Sequence, residues 1–335
     1  MTQPGKPQIQ PFQLARMLWT ALGVLCICGS FFLPLTLFAE AQPHTCVLYL
    51  ITGLAAIRRP ATRLSGSLWL GIALAHLVML GPFLLPKQKE GNSSPTGATG
   101  ITVMVYNQHA NNTRFDLSVP MISEALPDIL IICEANNHLL DRLTHLHPHY
   151  PTRLEAGRWT RSTLFQSSGT ILWSRFPASD SAIIPLENSP VQVLRAYLDI
   201  GHDSLEVVAA HPPSPRSFKG WRQQQNVLLD LADHLTGIHP TILAGDLNTT
   251  VHSAAFRKLE QSTRLRSTSR QQGLRSTWPA FLFPVGLGID HVLTSPDILC
   301  SKLQTIPSAG SDHRPIVATL HFPSSTDPID SGPTP

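Results

Sequence analysis

Two uninterrupted stretches of 23 residues without Asp, Glu, Lys or Arg dominate the N-terminal quarter of the chain. One is "MLWTALGVLCICGSFFLPLTLFA" at 17–39, and the other, at 64–86, contains "LWLGIALAHLVMLGPFLLP". A helix needs about 20 mostly apolar residues to cross about 30 Å of hydrocarbon, so each run is long enough to span a bilayer. Between them, "AQPHTCVLYLITGLAAI" (41–57) holds 17 uncharged residues and reads either as a third span or as a buried core helix. The pattern therefore predicts a membrane anchor over 1–86 with about three transmembrane helices, near 17–38, 44–57 and 66–86.

Basic residues orient such spans, because Lys and Arg near the ends of a span collect on the cytoplasmic side. Lys6 and Arg16 precede the first run, and Arg58, Arg59 and Arg63 lie between the second and third. The loop between the first and second runs has no basic residue. Everything after residue 86 is thus expected outside the cytoplasm, in a multi-pass protein of the cell (inner) membrane. Lys87 and Lys89, just after the last run, count against this orientation without overturning it. Reading the first run as a signal peptide cleaved near "AEA" (39–41) fits less well, since its apolar core exceeds the usual 7–15 residues. That reading leaves the orientation unchanged. Of five cysteines, Cys26, Cys28 and Cys46 lie in apolar runs, and Cys133 and Cys300 have no zinc-ligand spacing.

After the apolar runs comes "KQKEGNSSPTGATG" (87–100), whose composition is that of a flexible linker with a reach of roughly 20 Å. The last 13 residues, 323–335, hold four prolines and read as a disordered tail. Residues 101–322 carry nine runs rich in Val, Ile and Leu, bounded by turn formers and of strand length: "ITVMVYN", "DILIICEAN", "TILWSR", "VLRAYLDI", "SLEVVAAH", "TILAGDLN", "IDHVLTS", "LCSKLQTI" and "PIVATLHF". Helical patterns are fewer, near 113–126, 217–236 and 252–260. Many strands with few helices argue against a doubly wound parallel sheet. They fit an α/β fold of two sheets packed face to face with helices outside, a two-sheet, four-layer sandwich.

Polar residues of catalytic type stand at the ends of these apolar strands. "MVYN" delivers Asn107, "ILIICE" delivers Glu134 and "VVAAH" delivers His211. "ILAGDLN" delivers Asp246 and Asn248, "GID" opens a strand at Asp290, and "GSDH" sets Asp312 and His313 before another. Any one of them is most simply a turn former, a loop cap or a salt-bridge partner. Six such strand ends in one domain point instead to side chains converging on one preorganised rim.

The order Asn107, "CE" at 133–134, His211, "GDLN" at 245–248, "IDHVL" at 289–293 and "SDHRPI" at 311–316 resembles the endonuclease/exonuclease/phosphatase superfamily, the DNase I-like fold. "GTILWSRFP" (169–177) is similar to a strand of that family, and "STWP" (276–279) is similar to its membrane-anchored bacterial branch. The resemblance covers about 101–322. It implies metal-assisted hydrolysis of a phosphate ester, with Glu134, Asn107 and Asp312 holding Mg²⁺ or Mn²⁺, a hard ion that prefers oxygen ligands. It further implies that Asp246 orients or deprotonates water and that Asn248 donates to the phosphate. His313, oriented by Asp290, and His211 would face the phosphate, with the general base left open between Asp246 and His313. One departure is His109, at a position where DNA-repair relatives carry an acidic residue, and Asn111 lies two residues beyond.

From residue 91 onward there are 18 Lys and Arg against 20 Asp and Glu, a net of −2. That is not the basic face of a dedicated duplex-DNA binder. One basic cluster, Arg257, Lys258, Arg264, Arg266, Arg270 and Arg275, sits between the GDLN and IDHVL motifs and suits either nucleic acid or anionic headgroups. The expectation is a membrane-anchored, divalent-metal-dependent phosphoesterase acting on a phosphate-ester substrate, nuclease ahead of other esters. A phospholipid-headgroup phosphodiesterase and an inactive relative that binds phosphorylated ligands are the alternatives. Nothing in the chain points to an obligate protein partner, and spans offering only His44 and His76 as titratable groups give little pathway for a transporter. A reporter fused after residue 335 is expected to be active only outside the cytoplasm; activity confined to the cytoplasm would contradict the orientation.

Overall fold

The computed structural model describes residues 10–85, 100–157, 169–186, 191–201, 203–235 and 237–322. The expected linker, apart from Gly100, and the tail at 323–335 lie outside the described residues. The chain divides into two compact units, Met1–Leu84 with Thr250–Arg257, and Leu85–Thr249 with Lys258–Pro335.

In the first unit, α1 (Pro11–Gly29) opens on a proline, whose fixed φ suits the first helical position. It stops well short of the expected 17–38 span. At Gly29 the chain folds back so tightly that a Cβ there would lie 2.3 Å from the Leu35 carbonyl oxygen. A 3-10 turn (Leu33–Leu35) and α2 (Thr36–Ala39) follow. The middle helix α3 (Gln42–Ile57) has 16 residues, about 24 Å at 1.5 Å per residue, less than the hydrocarbon thickness. The last, α4 (Arg63–Leu84), continues a 3-10 turn, so that Pro60–Leu84 forms 25 residues. Among the described residues two helices, not about three, are long and apolar enough to cross a membrane: Pro11–Gly29 and Pro60–Leu84. Trp19 stacks on Tyr49 with centroids 4.7 Å apart, and Tyr49 packs with Trp69, Ile72 and Ala73. The polar ends of these rings are satisfied inside the unit, Tyr49 donating to the Trp19 carbonyl and Trp69 Nε1 to Thr20 Oγ1 at 2.9 Å.

The second unit is a sandwich of two six-stranded sheets. Its strands are β1 (Ile101–Asn107), β2 (Ile129–Ala135), β3 (Thr152–Gly157), β4 (Gly169–Ser174), β5 (Ala178–Pro185) and β6 (Gln192–Asp199). They continue with β7 (Ser204–Ala209), β8 (Thr241–Asp246), β9 (Arg266–Ser267), β10 (Asp290–Thr294), β11 (Leu299–Thr305) and β12 (Ile316–His321). One sheet runs β11-β12-β1-β2-β4-β3 and the other β5-β6-β7-β8-β10-β9. Among the described strands only β1–β2 and β7–β8 are parallel. The helices of this part of the chain are α5 (Phe115–Ala125), α6 (Asn137–Leu143), α7 (Phe218–Asp230), α8 (Ala254–Thr263) and α9 (Ser269–Gln272).

Side chains alternate between the faces of a strand, and here the inward faces make one core. Val103 and Val105, Ile129 and Ile131, Ala196 and Leu198, Val207 and Ala209, and Ile242 and Ala244 all belong to it. The outward face of the first sheet, with Met104, Tyr106, Leu130, Ile132 and Trp173, is covered by Ile122 of α5 and Leu139 and Leu143 of α6. On the second sheet, outward Arg195 donates to the His234 carbonyl at 3.2 Å, just beyond α7.

All nine expected strands are present, and the described residues hold three more. The unexpected β3, β5 and β9 are edge strands. Edge strands can keep one face in water and so lack continuous apolar runs; β3 alternates buried and exposed along its whole length. The close β7–β8 pairing leaves no room beside Gly245, which has φ 148° and where a Cβ would meet the Ala210 carbonyl oxygen at 1.9 Å. Gly245→Ala is therefore expected to cost roughly 2–4 kcal/mol in urea unfolding; an unchanged midpoint would show that β7 and β8 are not so tightly apposed.

Candidate active site

The inward stripes of four strands end in polar residues, and this is how the site is built. Continuing the period of two, Asn107 follows Val103 and Val105, and Asp246 follows Ile242 and Ala244. In the same way His211 follows Val207 and Ala209, and Asp290 precedes Val292. Asp246 and Asp290 are direct partners across the antiparallel β8–β10 pair. Glu134 breaks the pattern. Regular alternation would put it on the outer face with Leu130 and Ile132. The β2–β4 register slips between Ile132 and Ala135, however, and Glu134 adopts φ 55°. Such a bulge re-aims a side chain, and here it turns the carboxylate toward Asn107.

Asn107 is the centre of the arrangement. Its Nδ2 donates to Glu134 Oε1 at 3.2 Å and to Asp246 Oδ2 at 2.8 Å, while its Oδ1 accepts the His109 N–H at 2.9 Å. The other oxygens of the two carboxylates take backbone donors, Glu134 Oε2 from Ala110 N at 2.9 Å and Asp246 Oδ1 from Asn248 N at 2.8 Å. His211 Nε2 lies 3.9 Å from Glu134 Oε1 and 3.7 Å from Asp246 Oδ2. His313 Nδ1 lies 2.9 Å from Asp290 Oδ2, which leaves Nε2 facing Asp246 at 3.8 Å. Seven of the eight expected site residues thus form one connected cluster: Asn107, Glu134, His211, Asp246, Asn248, Asp290 and His313. Asn248 is partly committed, since its Nδ2 donates to the Pro212 carbonyl at 3.0 Å. Asp312 stands at the side of the cluster, where its Oδ2 accepts from Trp278 Nε1 at 3.0 Å.

Three supporting residues carried no signal of their own in the sequence. Thr277 is fully buried, and its Oγ1 accepts from the backbone N–H groups of Ile289 and Asp290 at 3.1 and 3.3 Å, fixing the start of β10. Ser311 Oγ donates to the Asn107 carbonyl at 2.7 Å and accepts the His313 N–H at 3.0 Å, tying the "SDH" turn to β1. Trp278 fixes Asp312. "STWP" was noticeable only as part of a family resemblance. His211 also lines a cleft of ≈ 130 Å³ together with Gly157, Gly169, Thr170 and Gln192.

Residues 104–313 match the profile of the Endonuclease/Exonuclease/phosphatase family. The chain belongs to that family. No curated protein matches the chain. Among solved structures it is similar to an endonuclease/exonuclease/phosphatase family protein from Bacteroides thetaiotaomicron, at 17% identity and a TM-score of 0.55, over 68% of this chain and 99% of that one. The human Nocturnin catalytic domain, solved with a bound sulfate anion, gives 17% identity and 0.54 over 67% and 95%. D. rerio TDP2 complexed with single-strand DNA product gives 17% and 0.54 over 67% and 99%. At these identities the likeness is one of fold, the two-sheet DNase I-like sandwich.

Members of this family commonly use divalent metals, and the donor set here fits a hard cation. The expected ligands, Glu134, Asn107 and Asp312, offer carboxylate and amide oxygens, and beside them the donor atoms of Asp246, Asp290 and His313 lie within 4.8 Å of one another. Asp290 Oδ1 and Asp312 Oδ1 are buried without a hydrogen-bond partner. A buried carboxylate oxygen without a donor is costly, and a cation would relieve that cost.

Electrostatics set the protonation of the cluster. Burial alone would push the Glu134 carboxyl up, but His211, the Ala110 N–H and the Asn107 amide outweigh it and hold the group below its ordinary value. Asp246 goes the other way. Burial and the adjacent Asp290 carboxylate push it up against the opposing pull of His313, His211 and Asn107. Burial would lower the His313 imidazole, yet Asp290, with Asp246 and Asp312 nearby, pushes it up to about 10. That native value lies above the unfolded value near 6.5. The stability it contributes is therefore complete below about pH 6.5 and is lost as pH rises through 10. Metal-free protein is expected to lose unfolding stability over that window, and Asp290→Asn to flatten the slope; a flat profile in the wild type would mean that the native imidazole carries no extra charge.

Proposed function

We propose that this chain is a membrane-anchored, divalent-metal-dependent phosphoesterase. The observation that carries the reading is the pair of carboxylates, Glu134 and Asp246, set on either side of the Asn107 amide with two imidazoles within 4 Å of Asp246. Glu134, held unprotonated by its donors, is the carboxylate best suited to a Mg²⁺ or Mn²⁺ ion, with Asn107 and Asp312 as the further ligands to test. A bound ion of this kind polarises the phosphoryl oxygens and stabilises charge on the leaving group.

The protein's own groups do the rest. Asp246, fixed by Asn107 and by the Asn248 N–H, orients the attacking water and accepts its proton as the water oxygen bonds to phosphorus and the ester P–O bond breaks. His313, held by Asp290 with Nε2 toward Asp246, and His211 face the phosphate and offset its negative charge. The remaining N–H of Asn248 is available to a phosphoryl oxygen.

Support for the anchor is the pair of helices long and apolar enough to cross a bilayer, with α3 too short to be a third crossing. With two crossings the residues before α1 and after α4 lie on one side, so Arg58, Arg59 and Arg63 favour a sandwich unit outside the cytoplasm while Lys6 and Arg16 favour the opposite side. The case against a dedicated duplex-DNA enzyme grows stronger, because part of the basic cluster is spent inside the fold. Arg270 pairs with buried Glu260 at 2.5 Å, and Arg275 Nε donates to the Leu303 carbonyl at 2.8 Å.

The test is hydrolysis of bis-p-nitrophenyl phosphate by the full chain in detergent. Activity should require Mg²⁺ or Mn²⁺, vanish with EDTA, and fall roughly 10²- to 10⁴-fold in Asp246→Asn, the usual worth of a positioned proton-transfer group. Activity equal in Asp246→Asn, or indifferent to EDTA, would contradict the reading. Phosphate binding without turnover by the wild type would favour the non-catalytic alternative.

A further inference from the structure

Residues 276–289, "STWPAFLFPVGLGI", contain no charged side chain, and they build a loop whose tip is apolar and bare. Phe281 is 82% exposed, Leu282 44%, Phe283 46% and Val285 60%. The other large apolar side chains exposed in the sandwich unit, such as Phe218 and Ile238, are separated in sequence from one another. The loop is ordered despite its exposure. The Leu282 N–H donates to the Pro279 carbonyl at 2.9 Å and the Val285 N–H to Leu282 at 2.7 Å, while Thr277 and Trp278 both donate to the Leu287 carbonyl at its base. Its first residues are joined to the site itself. Trp278 donates to the Asp312 carboxylate, the Ala280 N–H donates to the Asp312 carbonyl at 2.7 Å, and the Trp278 and His313 rings lie 6.5 Å apart. Beside the tip, the Arg314 guanidinium sits 4.0 Å from the centre of the Phe283 ring.

We propose that loop 280–285 is a membrane-interface finger, and that the enzyme's substrate is a phosphate ester carried by a lipid. The assignment rests on the phosphoesterase reading above and deepens it. An apolar tip with a cation at its base matches an interface, where the rings enter the acyl region and Arg314 stays at headgroup level. A tip inserted in this way would set the Asp312–His313 end of the site at the depth of lipid phosphates. Charge argues against a polyanion as occupant, because the fourteen residues of the loop supply no cation to neutralise a nucleic-acid backbone and Arg314, beside Phe283, adds a single one.

The experiment uses the full chain reconstituted into vesicles of phosphatidylethanolamine and phosphatidylglycerol, with a benzophenone amino acid at 281 or, as control, at the similarly exposed position 238 outside the loop. Crosslinking to lipid is expected at 281 and not at 238. In parallel, Phe281→Ser/Val285→Ser should lower kcat/KM on phosphatidylglycerol in mixed micelles about tenfold or more, the worth of one buried aromatic side chain. Hydrolysis of bis-p-nitrophenyl phosphate should be unchanged by the same pair of substitutions. Soluble-ester hydrolysis without crosslinking at 281 would overturn the finger and leave the phosphoesterase reading standing. Crosslinking at 281 in a protein that hydrolyses no ester would overturn the phosphoesterase reading and the substrate assignment with it. A tenfold loss on a single-stranded oligonucleotide, with none on lipid, would overturn the assignment in favour of base stacking on the same rings.

Discussion

Two carboxylates, one from each sheet, can share this buried rim only because the Asn107 amide stands between them. Glu134 comes from β2 and Asp246 from β8, and the amide on β1 donates to both. Without donors, like charges this close and this buried would disfavour the folded state. Every carboxylate oxygen at the centre therefore has a partner, the Asn107 amide or the backbone N–H groups of Ala110 and Asn248. The geometry needed for this is locally unfavourable. His109, Glu134 and Asn248 all have positive φ, and Gly245 occupies a backbone region that side chains rarely enter. Strain gathered at one rim and held by the two sheets is the usual mark of a functional site.

The sandwich was legible in the sequence wherever burial on both faces made a strand continuously apolar. β1, β2, β8 and β10 are of that kind, buried almost throughout. It was illegible at the edges. β3, with Leu154 and Ala156 inward but Arg153 and Glu155 outward, reads as polar chain. The first apolar run, taken as one span, breaks at Gly29 because of a close approach to Leu35 that no hydropathy pattern records.

Much of the site was legible for a simple reason. Asn107, His211, Asp246 and Asp290 extend inward-facing stripes of two-residue period by one more step, so their convergence followed from the strands themselves. Glu134 could be named but not placed, because a bulge rather than alternation aims it. Thr277, Trp278 and Ser311 act through hydrogen bonds to residues far away in the chain, and neither periodicity nor residue type marks such partners. The same segment that supplies Thr277 and Trp278 also supplies the exposed apolar tip, so the residues that steady the candidate site and those proposed to meet a membrane lie on one short stretch of chain.

The central claim is that Glu134, beside the Asn107 amide, holds a divalent cation at a phosphate-ester site. Calorimetric titration of the full chain with Mn²⁺, in the wild type and in Glu134→Gln, tests it most directly, alongside thermal unfolding of both in EDTA. The account predicts saturable binding that weakens more than roughly tenfold in the variant, with metal-free unfolding nearly unchanged or shifted upward as one buried charge is removed. Equal Mn²⁺ affinity in the two proteins, or a collapse of the metal-free fold in Glu134→Gln, would make Glu134 a structural partner of Asn107 and His211 and contradict it.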